Sequence, residues 1–115
     1  MPYNAILADQ LRPFLLPRKG VTEKSMFGGI AFLINGNMCV GVWKEFLILR
    51  MDVVDTPTLL KKPGIRPMDI TGKPMRGWLM VEPKGYGNDE ELFPLVEQAF
   101  GYAAGLPAKS GSGSK

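Results

Sequence analysis

Ile30 to Ile34 and Met38 to Trp43 are two apolar runs of strand length, and the Asn35-Gly36 pair between them dictates how the chain must turn. Asn and Gly tolerate the positive φ angles of a type I′ turn, whose twist matches the strands it joins. A third run, Phe46 to Met51, follows the less distinctive turn Lys44-Glu45, so this stretch reads as an antiparallel meander. Its strands do not alternate apolar with polar residues. Ile30, Phe32 and Ile34 point one way and Ala31 and Leu33 the other; Phe46 and Ile48 oppose Leu47, Leu49 and Met51. An antiparallel sheet with one wet face normally alternates, so apolar residues on both faces predict a cover on each, the second supplied by a partner subunit.

The flanking segments read as helices and two further strands. Asn4 caps a helix whose one-face residues are Leu7, Leu11, Phe14 and Leu15, and Pro13 is expected to bend it or end it early. Pro17 to Gly20 makes the connection to the meander. Thr56 followed by Pro57 suits the N-cap and first position of a short helix to about Lys62, stopped by Pro63-Gly64. Strands are predicted near Arg66 to Ile70 and over Gly77 to Glu82, joined by a loop over 71–76. A last helix starts near Asn88 or Asp89, where Asn88 and Glu91 have capping-box spacing, contains Pro94 early on, and runs to about Ala104. The expected fold is a two-layer α+β domain of order α-β-β-β-α-β-β-α, one mostly antiparallel sheet packed against helices. It occupies residues 1–109, with a Gly/Ser tail over 110–115.

Composition narrows the chemistry. With 45% hydrophobic and 22% charged residues the chain is that of an ordinary globular domain, and no apolar run approaches the roughly 18 residues of a membrane span. One cysteine allows no internal disulfide, which suits a reducing compartment and leads to an expected cytoplasmic location. The chain has no histidine, so Ser-His and Cys-His nucleophile pairs are impossible and zinc lacks its imidazole ligands. Cys39 lies within a predicted strand and is expected to be a buried small hydrophobe. Gly85-Tyr86-Gly87 opens a helix but lacks a third glycine, and Asp89, Glu90 and Glu91 put negative charge where a pyrophosphate would sit. Gly72-Lys73-Pro74 lacks the upstream glycine and the Ser or Thr of a P-loop. Phe27-Gly28-Gly29 is expected to mark a bulge or a close backbone approach, and Asp52 and Asp55 a solvated loop and helix entry. No catalytic, cofactor-binding or metal-ligating residue is assigned, and no enzyme activity is expected.

Charge is uneven along the chain. Six of its basic residues (Lys61, Lys62, Arg66, Lys73, Arg76 and Lys84) fall between Lys61 and Lys84 against two acidic ones, Asp69 and Glu82. Arg66, Lys73, Arg76 and Lys84 would meet the phosphates of a nucleic acid, with Trp78 stacking on a base. The plainer reading, in which Trp78 packs in the sheet and the cations are solvated, is preferred because a net charge of +3 is a weak electrostatic footprint.

Several separated motifs then carry a resemblance: Val21-Thr22-Glu23-Lys24, Met26-Phe27-Gly28-Gly29, Phe32, Asn35-Gly36-Asn37-Met38, Arg66-Pro67-Met68-Asp69, Thr71 to Trp78, and Leu106-Pro107-Ala108-Lys109. In this order the chain resembles the N-terminal domain of the TfoX/Sxy competence regulators and their stand-alone relatives. The resemblance implies the same α+β element order and a link to transcriptional regulation of natural competence; longer members add a C-terminal helical domain. Pro13, Pro94 and Leu95 depart from the family pattern. The functional expectation is a non-enzymatic interaction domain that presents a sheet surface to itself, as a homodimer, or to another protein. Nucleic-acid binding is the alternative. The candidate interaction residues are Phe46, Ile48, Arg66, Lys73, Arg76 and Trp78; no cofactor and no membrane contact are expected.

Overall fold

The computed structural model describes residues 3–26, 28–68 and 77–107. Helix α1 (Ala5–Leu15) is followed by four strands, β1 (Val21–Met26), β2 (Gly29–Ile34), β3 (Asn37–Trp43) and β4 (Phe46–Arg50). A 3-10 turn (Val53–Asp55), the short α2 (Thr56–Leu59), β5 (Ile65–Pro67), β6 (Trp78–Val81), a second 3-10 turn (Pro83–Gly85) and α3 (Asp89–Ala104) complete it. The strands form one sheet of order β1-β2-β3-β4-β6-β5, every neighbouring pair antiparallel. The α+β class is as expected, with one strand more than the sequence predicted.

That additional strand is β1. Its Thr22, Glu23, Lys24 and Ser25 are exposed, so it lacks the apolar run that announces a buried strand. Its register against β2, Val21 opposite Ile34 and Met26 opposite Gly29, makes it a polar edge. Glu23 accepts two hydrogen bonds from the Arg12 guanidinium, at 3.0 and 2.9 Å, tying the strand to α1. A partly exposed pair of this kind is worth no more than about 1 kcal/mol. Burying a leucine side chain contributes about 2 kcal/mol, so the pair trims the arrangement while the core drives it.

The β2–β3 hairpin turns as its sequence predicts, with φ of 52° at Asn35 and 84° at Gly36. Between Phe32 and Leu33 the register shifts, because Leu33 pairs with Met38 and Phe32 with Val40. Cys39 is the extra residue of a β-bulge, and its thiol donates to the Phe32 carbonyl at 3.4 Å. After the bulge, Val40 and Val42 share the side of Phe32 and Ile30, and Gly41 faces the opposite way. All three helices pack on the Phe32 side. The core joins Leu7, Leu11 and Leu15 of α1, Leu59 of α2, and Leu92, Leu95, Val96 and Ala99 of α3 to Ile30, Phe32, Val40, Val42, Leu47, Leu49, Leu79 and Val81.

Local signals place the helix ends. Asn4 Oδ1 accepts from the amides of Ile6 and Leu7 at 3.0 and 3.1 Å, and Asn88 Oδ1 accepts from Glu91 N at 2.9 Å. Pro13 does not end α1, and α3 runs through Pro94. Both prolines lie on exposed helix surface, as do Asp9 and Glu90, the residues whose carbonyls lose a partner, so water can take the missing amide's place. α2 is shorter than expected and its N-cap position is Asp55 rather than Thr56, with no side-chain capping bond; turn bonds from Lys61 N to Thr58 O and from Lys62 N to Leu59 O carry the winding on to Lys62. β5 is seen over Ile65–Pro67, and the rest of the predicted strand, with the loop over 71–76, lies outside the described residues.

Three polar ties close the layers. Tyr86, buried, donates its hydroxyl to the Glu45 carbonyl at 2.6 Å and accepts from Asn4 Nδ2 at 3.2 Å, joining the β3–β4 turn to the start of α1. Buried Asn37 donates to the Pro107 carbonyl at 2.9 Å, so two of the motifs that carry the resemblance meet in space. Arg18 pairs with Glu97 of α3 at 2.7 and 3.1 Å and lies over the rings of Phe14 and Phe100.

Two outcomes follow. A methyl on Gly29 would stand 2.1 Å from the Val42 carbonyl oxygen, whereas Gly28 has open space and only its φ of 77° to protect. Gly28→Ala is expected to cost about 1–2 kcal/mol in a urea titration, and Gly29→Ala distinctly more, because it forces β2 and β3 apart. Arg18 holds the Glu97 carboxyl below the usual carboxylate range. A carboxyl lowered on folding stabilises above its unfolded pKa and loses that contribution as pH falls through the lowered value. Arg18→Gln is therefore expected to reduce stability at neutral pH and to shrink the loss on acidification, measured by thermal melts along a pH series.

Candidate functional site

Strand pairing sets one row of side chains across the whole sheet: Lys24, Ala31, Gly41, Ile48, Met80 and Arg66 are successive neighbours on β1, β2, β3, β4, β6 and β5. This row faces away from the helices. Ala31, Ile48 and Met80 are 0%, 2% and 3% exposed, yet none belongs to the helix-packed core. Beside the row lie Trp43 and Phe46, directly paired, with ring centroids 6.1 Å apart. On its other side lie Leu33 and Met38, and the pair Arg50 and Trp78. Leu33, Met38, Trp43, Phe46, Arg50 and Trp78 are all half-buried.

Gly41 has a packing reason. A methyl there would come within 2.7 Å of the end of Met38, which lies over the space the glycine leaves. Each of the three aromatic rings carries a cation: Lys44 over Trp43 at 4.6 Å, Arg50 over Trp78 at 5.5 Å and Arg66 over Phe46 at 5.9 Å. Such contacts contribute about 0.5–1 kcal/mol at exposed sites. Arg66 also meets Glu82 at 3.4 Å, and Lys84 meets the same carboxylate at 3.8 Å.

The sequence put Phe46 and Ile48 in one hypothesis and Arg66 and Trp78 in another; β6 pairs with β4 and brings all four onto this face. Lys73 and Arg76 lie outside the described residues. Sequence reasoning missed Trp43, Arg50 and Met80: Arg50 was available from alternation, two residues beyond Ile48 on the same strand, whereas Trp43 and Met80 join through the pairing of β3 and β6 with β4. Ile48 is a correction of a different sort. The sequence predicts it as surface for a partner to cover, whereas it is already buried within the single chain.

Elsewhere the motifs resolve into packing. Cys39 is fully buried, and burial pushes its thiol up to about 11, so it is a poor nucleophile at neutral pH. Gly85 fits against the Pro63 carbonyl and the Val81 side chain, where a methyl would stand 3.0 and 2.7 Å away. Tyr86 has its hydroxyl engaged as described, and burial raises its pKa. Asp52 Oδ1 accepts from Val54 N at 3.0 Å and so caps the first 3-10 turn. Among the described residues no helix is long and apolar enough to cross a membrane.

The family model of the TfoX N-terminal domain matches residues 9–103, from within α1 nearly to the end of α3. The chain belongs to the TfoX N-terminal domain family. No curated protein and no solved structure matches it. The family match spans every strand of the sheet, so the aromatic face is built within the family domain.

Ile48 and Phe46 give the cleanest check of this geometry. Ile48→Asp places a carboxylate in a site 2% exposed and is expected to cost more than about 3 kcal/mol. Phe46→Glu, at a half-buried rim position near Arg66, is expected to leave the protein folded with a loss nearer 1 kcal/mol. Urea denaturation of the two variants checks the difference.

Proposed function

We propose that this TfoX N-terminal domain is a non-catalytic, cytoplasmic regulatory domain that works by docking a protein on the helix-free face of its sheet. The supporting observation is the composition of that face. Half-buried Trp43, Phe46, Trp78 and Met38 with Arg50 are the residue types enriched where proteins meet, set around a centre that is already dry. Family membership connects the domain to competence-type regulators, and association of two copies is one form of the same function. Nucleic acid is the weaker reading, since the whole chain carries only +3.

The test is capture of cytoplasmic proteins by the immobilised domain, run with Phe46→Glu and Trp78→Ser beside the wild type after each variant has been shown to fold. Loss of the same captured protein on both variants is expected. Identical capture by all three would remove the sheet face from the function.

A further inference from the structure

The charge on this face says what kind of protein it takes. Among the described residues, the strand positions facing away from the helices carry three cations, Lys24, Arg50 and Arg66, and no carboxylate. The carboxylates nearby stand at the perimeter: Glu45 in the β3–β4 turn, Asp52 capping Val54, and Glu82 held by Arg66 and Lys84. Arg50 and Arg66 stand over aromatic rings with their guanidinium carbons 5.5 and 5.9 Å from the ring centroids; among the described residues Arg50 has no carboxylate partner, and Arg66, with one 3.4 Å contact to Glu82, keeps further N–H donors for a carboxylate. Two copies face to face would bring together two surfaces whose strand positions carry the same sign of charge. A nucleic acid calls for a larger basic footprint than a net charge of +3 provides.

Resting on the protein-docking function above, we propose that the occupant of the helix-free face is an acidic segment of another protein, its carboxylates on Arg50 and Arg66 and its apolar side chains against Trp43, Phe46 and Trp78.

Both tryptophans of the chain, Trp43 and Trp78, lie on this face, so their emission reports it selectively. The full-length protein is titrated with a 12-residue synthetic peptide containing Glu and Leu, with its Lys-for-Glu counterpart, and with a 12-nucleotide oligothymidylate, while light scattering follows protein alone over rising concentration. A change in emission with the Glu peptide only is expected. Its affinity should fall about tenfold for Arg50→Gln and again for Arg66→Gln, the loss of one charge-assisted contact each. R50E/R66E should exchange the preference toward the Lys peptide, which separates recognition from damage to the fold. No response to the Glu peptide, or equal responses to both peptides, overturns the acidic occupant. A response to oligothymidylate alone overturns it in favour of nucleic acid, and a rise in mass with concentration that Phe46→Glu abolishes overturns it in favour of a second copy. Failure here, with captured proteins still lost on Phe46→Glu, would sink the acidic partner and leave the docking function standing; failure of both would sink the docking function too.

Discussion

A single extra residue in β3 decides which side chains meet the helices. Side chains alternate along a strand, so a register change of one residue exchanges the faces of everything beyond it. Without the bulge at Cys39, Val40 and Val42 would lie opposite their present side and Gly41 would occupy the core. With it, both valines join Phe32 and Leu49 beneath the helices, while Trp43 emerges on the far face beside Phe46. The thiol fills the position where the ladder is interrupted, buried and bonded to the Phe32 carbonyl. The one cysteine thus serves geometry, and the character of both faces depends on it.

The consequence is a sheet with unequal sides. One side is covered by three helices, fastened through Tyr86, Asn37 and Arg18 at the edges of the layer. The other is closed only at its centre, where Ala31, Ile48 and Met80 are buried and the surrounding aromatics are half-covered. The apolar residues of the meander are therefore not simply exposed surface awaiting a subunit. What stays half-covered is their rim, with cations over its rings.

Much of the fold was legible in the sequence because its signals are local. Asn35-Gly36 fixed a turn, Asn4 and Asn88 fixed two helix starts, and strand periodicity grouped Ile30 with Phe32 and set Leu47 opposite Phe46 and Ile48, although with apolar residues on both faces it could not say which set meets the helices. β1 escaped because a polar edge strand carries no apolar period. The bulge escaped because Met38 to Trp43 is apolar or glycine throughout, so no polar residue marks the change of face. The site was legible only in pieces: Phe46 and Trp78 could be chosen from their own segments, but their common face arises from the long-range pairing of β4 with β6, which no local spacing encodes.

The most direct measurement is quenching of Trp43 and Trp78 emission by iodide and by caesium in the isolated protein. A reachable, cation-framed face requires efficient quenching by iodide and weak quenching by caesium, with the difference shrinking as salt screens the charges. Equal quenching by the two ions, or resistance to both, would contradict the claim that the aromatic side of the sheet is an open surface built for negative charge.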